Sequence, residues 1–577
     1  CCWVSPVVVG GGASLAEVFA SVDDSSTSRR KGGNGQRYSS HSSRAQRRRR
    51  RRCARDALDE LVDVWAVRAE VPVRDQGTDF DQTKGKELGD LLGQNDREPC
   101  VEMVRRSDLP SDVEIISTRF VCEWKSRLDG SVEPRARLVA RGFQQSDDGT
   151  VTDAPTATRA SLRLVAFLAA RHTYILRSVD ITRAFLQSAL RGPDEPLIAI
   201  IPPPEANVPE GHVWLLLRSL YGLRDAPAAW WRTLSTALVK DFGFVQSKND
   251  PAVFLLKTGK KKSTEGALAL HVDDVLYTGS DRFLDRWSRV VGRFRASEAL
   301  EENFVHLGMQ LSRKPDGSVV FSQQKYIEGL VEMEVPTGEN FSSYQQTALR
   351  GLVGAMLWVA TCTRPDISVD VAMLAGEVSR PSSATVLRAN KLVRYLKKTA
   401  SQGLEIQKIL GPLEVKVLGD SALQNRGEGF SQGGLMVFLG STEDDSTLAL
   451  MAWRSFKLRR VVTSSFSAEL LISCSAVDMG LWIRDLAEEI MGESISIVGF
   501  SDCLSVVRNT HSLRLQVTER RLTKDMWYLR DAVQSELSAF IHVPTESVIA
   551  DGLTKLTKGD TFRGQLRMAM AGLWGHR

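Results

Sequence analysis

The stretch LALHVDDVLYTG at 268–279 decides how the chain is read. Two apolar runs, 267–272 and 275–278, have the character of short β-strands, and the tight turn between them carries Asp273 and Asp274. Adjacent carboxylates repel each other, and an apolar hairpin strips them of water, so such a pair is costly unless a cation compensates it. Three other Asp pairs, Asp23 with Asp24, Asp147 with Asp148 and Asp444 with Asp445, lie in polar surroundings where a solvated loop explains them.

Upstream, Asp180 in RSVDITRAFLQSAL (177–190) closes a short strand that runs toward a helix. Helix capping is the bland reading of such a residue. Around these acids, strands expected at 118–125, 137–140 and 196–201 alternate with helices at 161–171 and 226–242, which is an α+β texture starting near Val101. A helical stretch covers 344–399, broken at Arg364 and Pro365, and stops at Gly403.

A second α/β unit begins with a strand at 413–418, where Leu413, Val415 and Val417 alternate onto one face. Strands at 434–439 and 447–454, a long helix at 467–490, a strand at 495–500 and a further helix follow, with no repeat of fixed period. Four acids sit beside these elements: Asp420 after the first strand, Glu469 at the start of the long helix, Asp502 after the fourth strand and Asp551 near a final helix start. Each alone reads as a cap or a surface charge. Together and in this order they suggest a cluster. Phosphoryl transfer builds negative charge on the reacting phosphate and is served by paired divalent metals, and hard cations such as Mg²⁺ take carboxylate oxygens.

The motifs VDITRAFL (179–186), SLYGLRDAPAAWW (219–231) and HVDD (271–274) resemble, in order, core motifs of the reverse transcriptase in copia-type LTR retrotransposon Pol polyproteins. RARLVARGFQQ (135–145) is similar to the fingers motif of that family, and LGMQL, FSQQKYI, TRPDI and VRYLKKT follow in the family's order. LGDS (418–421), SSFSAEL (464–470), FSDC (500–503) and ADGLTK (550–555) resemble its ribonuclease H domain. The resemblance covers about 119–556.

It implies an α+β polymerase palm and fingers at 98–340, a helical thumb or connection at 341–410, an α/β RNase H-like domain at 411–557 and a C-terminal tail at 558–577. It also implies RNA-directed DNA synthesis with RNA cleavage. Asp180, Asp273 and Asp274 would hold one metal pair and Asp420, Glu469, Asp502 and Asp551 another, with two Mg²⁺ per site and Mn²⁺ as the alternative. Phe185 matches the aromatic position that excludes a ribose 2′-OH, Tyr221, Gly222 and Arg224 the loop lining nucleotide and template, and Arg137 or Arg141 a triphosphate contact. The implied partners are an RNA template, a DNA primer, the RNA–DNA hybrid and dNTPs, with no membrane, and with integrase and protease on other parts of the polyprotein. The chain departs from the family at His271, where Tyr is usual, at Cys503 in place of Asn, and over 517–522, where Lys and His are usual.

Composition is compatible with this reading. The 577 residues are 42% apolar and 25% charged, which suits several folded units. Net charge is +5, but six arginines run together at 47–52 within a Ser-, Gly- and Arg-rich stretch. Residues 1–97 are therefore expected to be basic, of low complexity and largely disordered, with a short helix at 56–67. The eight cysteines form no CxxC, so neither a zinc module nor a disulfide framework is indicated and a reducing compartment fits. No signal peptide and no run approaching 18 apolar residues is visible, which leads to an intracellular expectation, in cytoplasmic particles or the nucleus. A start at Cys1 suggests a fragment or a processed product. The competing reading is a decayed retroelement product that folds and binds nucleic acid without catalysis.

Overall fold

The computed structural model describes residues 70–573 except 74–75, 95–97, 127–131, 147–151, 193–194, 260–262, 338–340, 445, 513, 515–516, 518 and 557–559. The arginine run and the helix expected at 56–67 lie outside the described residues. The architecture is mixed α and β, with four sheets among the described residues.

The first sheet has the order Val101–Arg105, His212–Leu216, Ile198–Ile201, Glu114–Ser126, Val132–Ala140. Its core holds Ile116, Phe120, Leu138 and Trp214, and the helix Asp79–Leu91 adds Phe80, Leu88 and Leu91 to it. The expectation of a largely disordered 1–97 is thus corrected over 79–91. Only three spaced apolar residues mark that helix in a polar sequence with two glycines, and its other buried side chains include Glu87 and Asp90, which a hydropathy pattern counts as solvent-facing.

The second sheet, ordered Leu300–Glu301, Arg177–Asp180, Asp274–Gly279, Ser263–His271, Val253–Thr258, Val245–Gln246, carries the first acids. Helix Asp281–Phe294 buries Phe283, Trp287, Val290 and Phe294, an i, i+4, i+7, i+11 stripe, while Ser280 caps its start through Phe283 N–H. Helix Arg159–His172 is buried from Ala160 to Ala170. The helix expected at 226–242 is α-helical only over Ala226–Thr236 and continues as a π-helix over Ala237–Asp241.

Helices Ser343–Cys362, Ser368–Ala375 and Ser383–Lys398 form the next unit. At the proline break Arg364 and Asp366, both fully buried, pair in a fork, with Arg364 Nε 2.8 Å and Nη2 2.7 Å from the two carboxylate oxygens. Tyr395 Oη donates to Asp366 at 2.6 Å and Arg364 Nη1 to the Thr399 carbonyl at 2.9 Å, so TRPDI and VRYLKKT are two halves of one buried network. The segment 341–410 is not wholly helical. Its strand Leu404–Ile406 completes a small sheet with Asn303–His306, Met309–Arg313 and Val319–Ser322.

The last sheet is ordered Leu448–Lys457, Gln432–Ser441, Leu413–Ala422, Ser496–Ser501, Ala539–His542, antiparallel through the first three and parallel through the last three. Helix Ser465–Met491 has the length and hydropathy of a membrane-crossing segment, yet Leu470, Val477, Ile483 and Leu486 are buried inside the fold. Residues Asp560–Met570, expected as a tail, form a helix that buries Leu566, Ala569 and Met570. Met568, between Leu566 and Ala569, is exposed, so only the docked partner reveals which apolar residues form the face.

This unit is packed against the earlier ones. Arg163, on the buried helix Arg159–His172, donates to the carbonyls of Met451 (2.8 Å), Thr361 (3.0 Å) and Cys362 (2.9 Å), and stacks on Trp453 at 4.0 Å. Burial drags its guanidinium down to about 9. Trp453 Nε1 donates to the Ala360 carbonyl and Trp482 Nε1 to that of Asn249. Replacing Arg163 by Met keeps the apolar stem and leaves three carbonyls without donors, so a loss of about 2–4 kcal/mol is expected. Thermal unfolding followed separately at the two units is expected to change from one transition to two.

Candidate active sites

Asp180 and Asp274 are direct partners across the antiparallel pair formed by Arg177–Asp180 and Asp274–Gly279. Asp273 sits in the two-residue turn between His271 and Asp274, and its carbonyl accepts from Ile181 N–H at 2.8 Å. The three acids therefore meet at one end of the sheet. Val272 has φ +61°, a left-handed backbone that a β-branched residue rarely adopts and that a two-residue hairpin requires at its first position. Trp230 Nε1 holds this turn by donating to the Val272 carbonyl at 2.8 Å, and Ser297 Oγ accepts from Asp180 N–H at 3.1 Å. Trp230 is legible in SLYGLRDAPAAWW, but this role for it is not.

Burial, then the charge of Asp273, pushes Asp180 above the ordinary carboxyl range. The same causes push Asp274 up to about 8, and its Oδ2 is buried with no hydrogen-bond partner. A buried carboxylate oxygen without a donor among like charges fits a cation ligand. His271, by contrast, is held below the usual imidazole range, chiefly by burial.

Phe185 is half-buried and meets Tyr221 edge-on, with ring centres 5.2 Å apart. Arg137 lies over the Tyr221 ring at 5.4 Å. Gly222, at φ +88°, is packed so closely that a Cβ would stand 2.1 Å from the Ala140 carbonyl oxygen, which gives it a backbone-packing role between this loop and the end of the first sheet. Arg224 is tied back as well: its N–H donates to Gln145 Oε1 at 2.7 Å and its Nη1 to the Ser146 carbonyl at 3.1 Å. Arg141 has an exposed side chain at the end of Val132–Ala140, and its N–H donates to the Ser117 carbonyl.

In the C-terminal unit, Asp420, Glu469 and Asp502 each bring an oxygen within 4.8 Å of the others. The parallel pairing of Leu413–Ala422 with Ser496–Ser501 aligns the ends that carry Asp420 and Asp502, and Ser421 donates from its hydroxyl to Glu469 Oε1 at 2.7 Å. Asp551, within the 3₁₀ turn Ile549–Leu553, does not complete the trio but lies against Asp420. Thr554 Oγ1 donates to Asp420, and Lys555 Nζ to Asp551 Oδ1 at 2.6 Å. Burial and Asp551 raise Asp420 to about 7; burial and Asp420 raise Glu469 well above its ordinary value. Glu469 Oε2 is buried without a partner. Lys555 was quoted in ADGLTK without a role; its spacing four residues after Asp551 was the available signal.

Residues 102–344 match the family described as reverse transcriptase (RNA-dependent DNA polymerase). The chain is 29% identical over 471 residues to the retrovirus-related Pol polyprotein from transposon RE1 of Arabidopsis thaliana, covering 77% of this chain and 31% of that protein. The chain is thus similar to the copia-type Pol polyproteins. The corresponding polyprotein from transposon TNT 1-94 of Nicotiana tabacum is 24% identical, over 76% of this chain and 35% of its own length, so the chain spans about a third of these relatives. A foamy viral protease-reverse transcriptase solved with double-stranded DNA aligns at 12% identity and TM-score 0.48, over 81% of this chain and 70% of that one.

The raised carboxyls set a pH dependence. A carboxyl whose folded value lies above its unfolded one stabilises the fold when protonated, and that contribution disappears as pH rises through the folded value. For Asp420 and Asp274 the loss runs from the ordinary range near 3.8 up to about 7 and about 8. Without divalent cations, the melting temperature is expected to fall between about pH 5 and about pH 8. Mg²⁺ should restore it at the upper end, and Asp274→Asn with Asp420→Asn should flatten the slope.

Proposed function

We propose that this chain is an RNA-directed DNA polymerase and ribonuclease H acting in retrotransposon replication, each activity resting on one of the two acid clusters. The observation that carries the reading is the strand register that sets Asp180 opposite Asp274 with Asp273 in the adjoining turn, inside the span that matches reverse transcriptases. The gathering of Asp420, Glu469 and Asp502 within 4.8 Å supports the second activity.

Asp180, Asp273 and Asp274 would hold one pair of Mg²⁺ ions, and Asp420, Glu469, Asp502 and Asp551 the other. Bound there, the ions supply charge neutralisation at the reacting phosphate and activation of the attacking oxygen. The chain's own residues provide the rest. Rigid strands place the carboxylates, Trp230 holds the turn, and the partnerless oxygens of Asp274 and Glu469 are ready to accept a cation. Phe185, braced by Tyr221, presents a ring where a ribose 2′-OH would collide, which favours dNTPs. RNA template, DNA primer and their hybrid are the corresponding macromolecular substrates.

Primer extension on an RNA template with Mg²⁺ is expected to fall by on the order of a thousandfold in Asp273→Asn. Cleavage of the RNA strand of a hybrid is expected to vanish in Glu469→Gln with DNA synthesis retained. A parent protein that binds hybrid but does neither would identify a decayed product and end the catalytic reading.

A further inference from the structure

Glu87 and Asp90 are 1% and 3% exposed, an unusual depth for two acids three residues apart on one helix. Both reach Arg183. Glu87 Oε2 is 3.2 Å from Arg183 Nε, Asp90 pairs with Arg183 Nη1, and the second Glu87 oxygen accepts from Leu138 N–H at 3.3 Å. Glu87 therefore ties a fingers strand and Arg183 to the same helix.

Arg183 occupies a decisive place in the chain. It stands three residues after Asp180 and two before Phe185, at φ +52°, and its carbonyl accepts from Leu186 N–H at 3.0 Å to start the turn Ala184–Gln187. A left-handed non-glycine residue persists where its surroundings hold it. Here the hold is a buried double ion pair, and the main chain fixed by it is the link between a proposed metal acid and the proposed sugar gate. The same groups border a cavity of about 110 Å³ lined by Glu87, Arg135, Arg137, Arg183 and Tyr221. The helix precedes the 102–344 span that matches the polymerase family, so nothing in that match assigns it a part in the site.

We infer that Glu87 and Asp90 are positioning residues of the nucleotide site: by clamping Arg183 they fix the Asp180–Phe185 segment and thereby set both nucleotide incorporation and the exclusion of ribonucleotides. This rests on the polymerase reading for its kinetic consequence, and on the geometry alone for the clamp. Neither acid touches the substrate. Their influence passes through the backbone of Arg183 to the Phe185 ring and, in the other direction, to Asp180. Breaking either pair leaves a buried charge uncompensated, and the turn is the part free to move in response. A displacement of about an ångström at a reacting centre costs up to about a hundredfold in rate.

The test uses the full chain with Glu87→Gln, Asp90→Asn, Arg183→Met and the double variant Glu87→Gln/Arg183→Met, alongside Asp273→Asn. Hydrogen exchange of the amides from Ala184 to Ser188 reads the clamp without requiring activity, and it is expected to quicken by on the order of tenfold in each single variant. In primer extension, kcat/KM for a dNTP is expected to fall by on the order of tenfold or more, and the preference for dNTP over the matching rNTP to fall with it. Glu87→Gln added to Arg183→Met is expected to change either readout less than about twofold, because the two share one interaction. Retained RNA cleavage and an unchanged circular dichroism spectrum identify variants that still fold. Unchanged exchange at 184–188, or a kcat/KM loss with sugar discrimination equal to the parent's, would overturn the positioning role. An inactive parent indistinguishable from Asp273→Asn would instead overturn the polymerase reading, with the exchange result still deciding the clamp.

Discussion

The antiparallel register between Arg177–Asp180 and Asp274–Gly279 is the constraint on which the rest of the molecule depends. A slip of one residue would turn every side chain of one strand to the opposite face and part Asp180 from Asp274. Holding that register means holding like charges together in a poorly solvated place, which the surrounding structure opposes through apolar packing. Val275 and Leu276 on one strand and Val179 on the other are buried beside the acids, and Trp230 grips the strained turn from the side. The raised Asp180 and Asp274 carboxyls are the measure of that opposition.

The same tension recurs in the C-terminal unit with different elements. There a parallel strand pair and the first turn of a long helix converge three acids, and Ser421, Thr554 and Lys555 supply donors to three of the four carboxylates proposed as ligands. The two units are not strung on a loose tether. One apolar core runs from the sheet that carries Asp180 and Asp274 through helix Arg159–His172 into the C-terminal sheet, and Arg163 and Arg171 stitch across it with hydrogen bonds to carbonyls of the neighbouring units. Such a shared core fixes the orientation of one acid cluster relative to the other more firmly than a small polar interface would.

Much of the architecture was legible in sequence where a strong period coincided with a strong composition. The hairpin expected at 267–278, the helix expected at 161–171, the proline break at Arg364 and the strand and helix order of the C-terminal unit all rest on apolar runs or breakers that the sequence shows, and elements stand at each place. Three pieces were not legible, for a common reason. Helix Asp79–Leu91, helix Asp560–Met570 and strand Leu404–Ile406 are short or sparsely apolar, and each is stabilised by a surface contributed from far away in the chain. That Gly222 packs on the Ala140 carbonyl and that Arg224 donates to the Ser146 carbonyl were likewise set by segments remote in the chain.

By itself the sequence singled out which carboxylates are candidates for holding a cation, because carboxylates embedded in apolar strands are too costly to be explained by solvation, and their order along the chain resembled a known pattern. It also determined the local elements, since periodicity and proline act over a few residues. The tertiary structure alone decided which acids meet, which oxygens lack a donor, and that Arg183 is gripped by two buried acids from a helix some ninety residues upstream. Those properties depend on distances between segments remote in sequence, and a charge buried against its partner is spelled with the same letter as one in water.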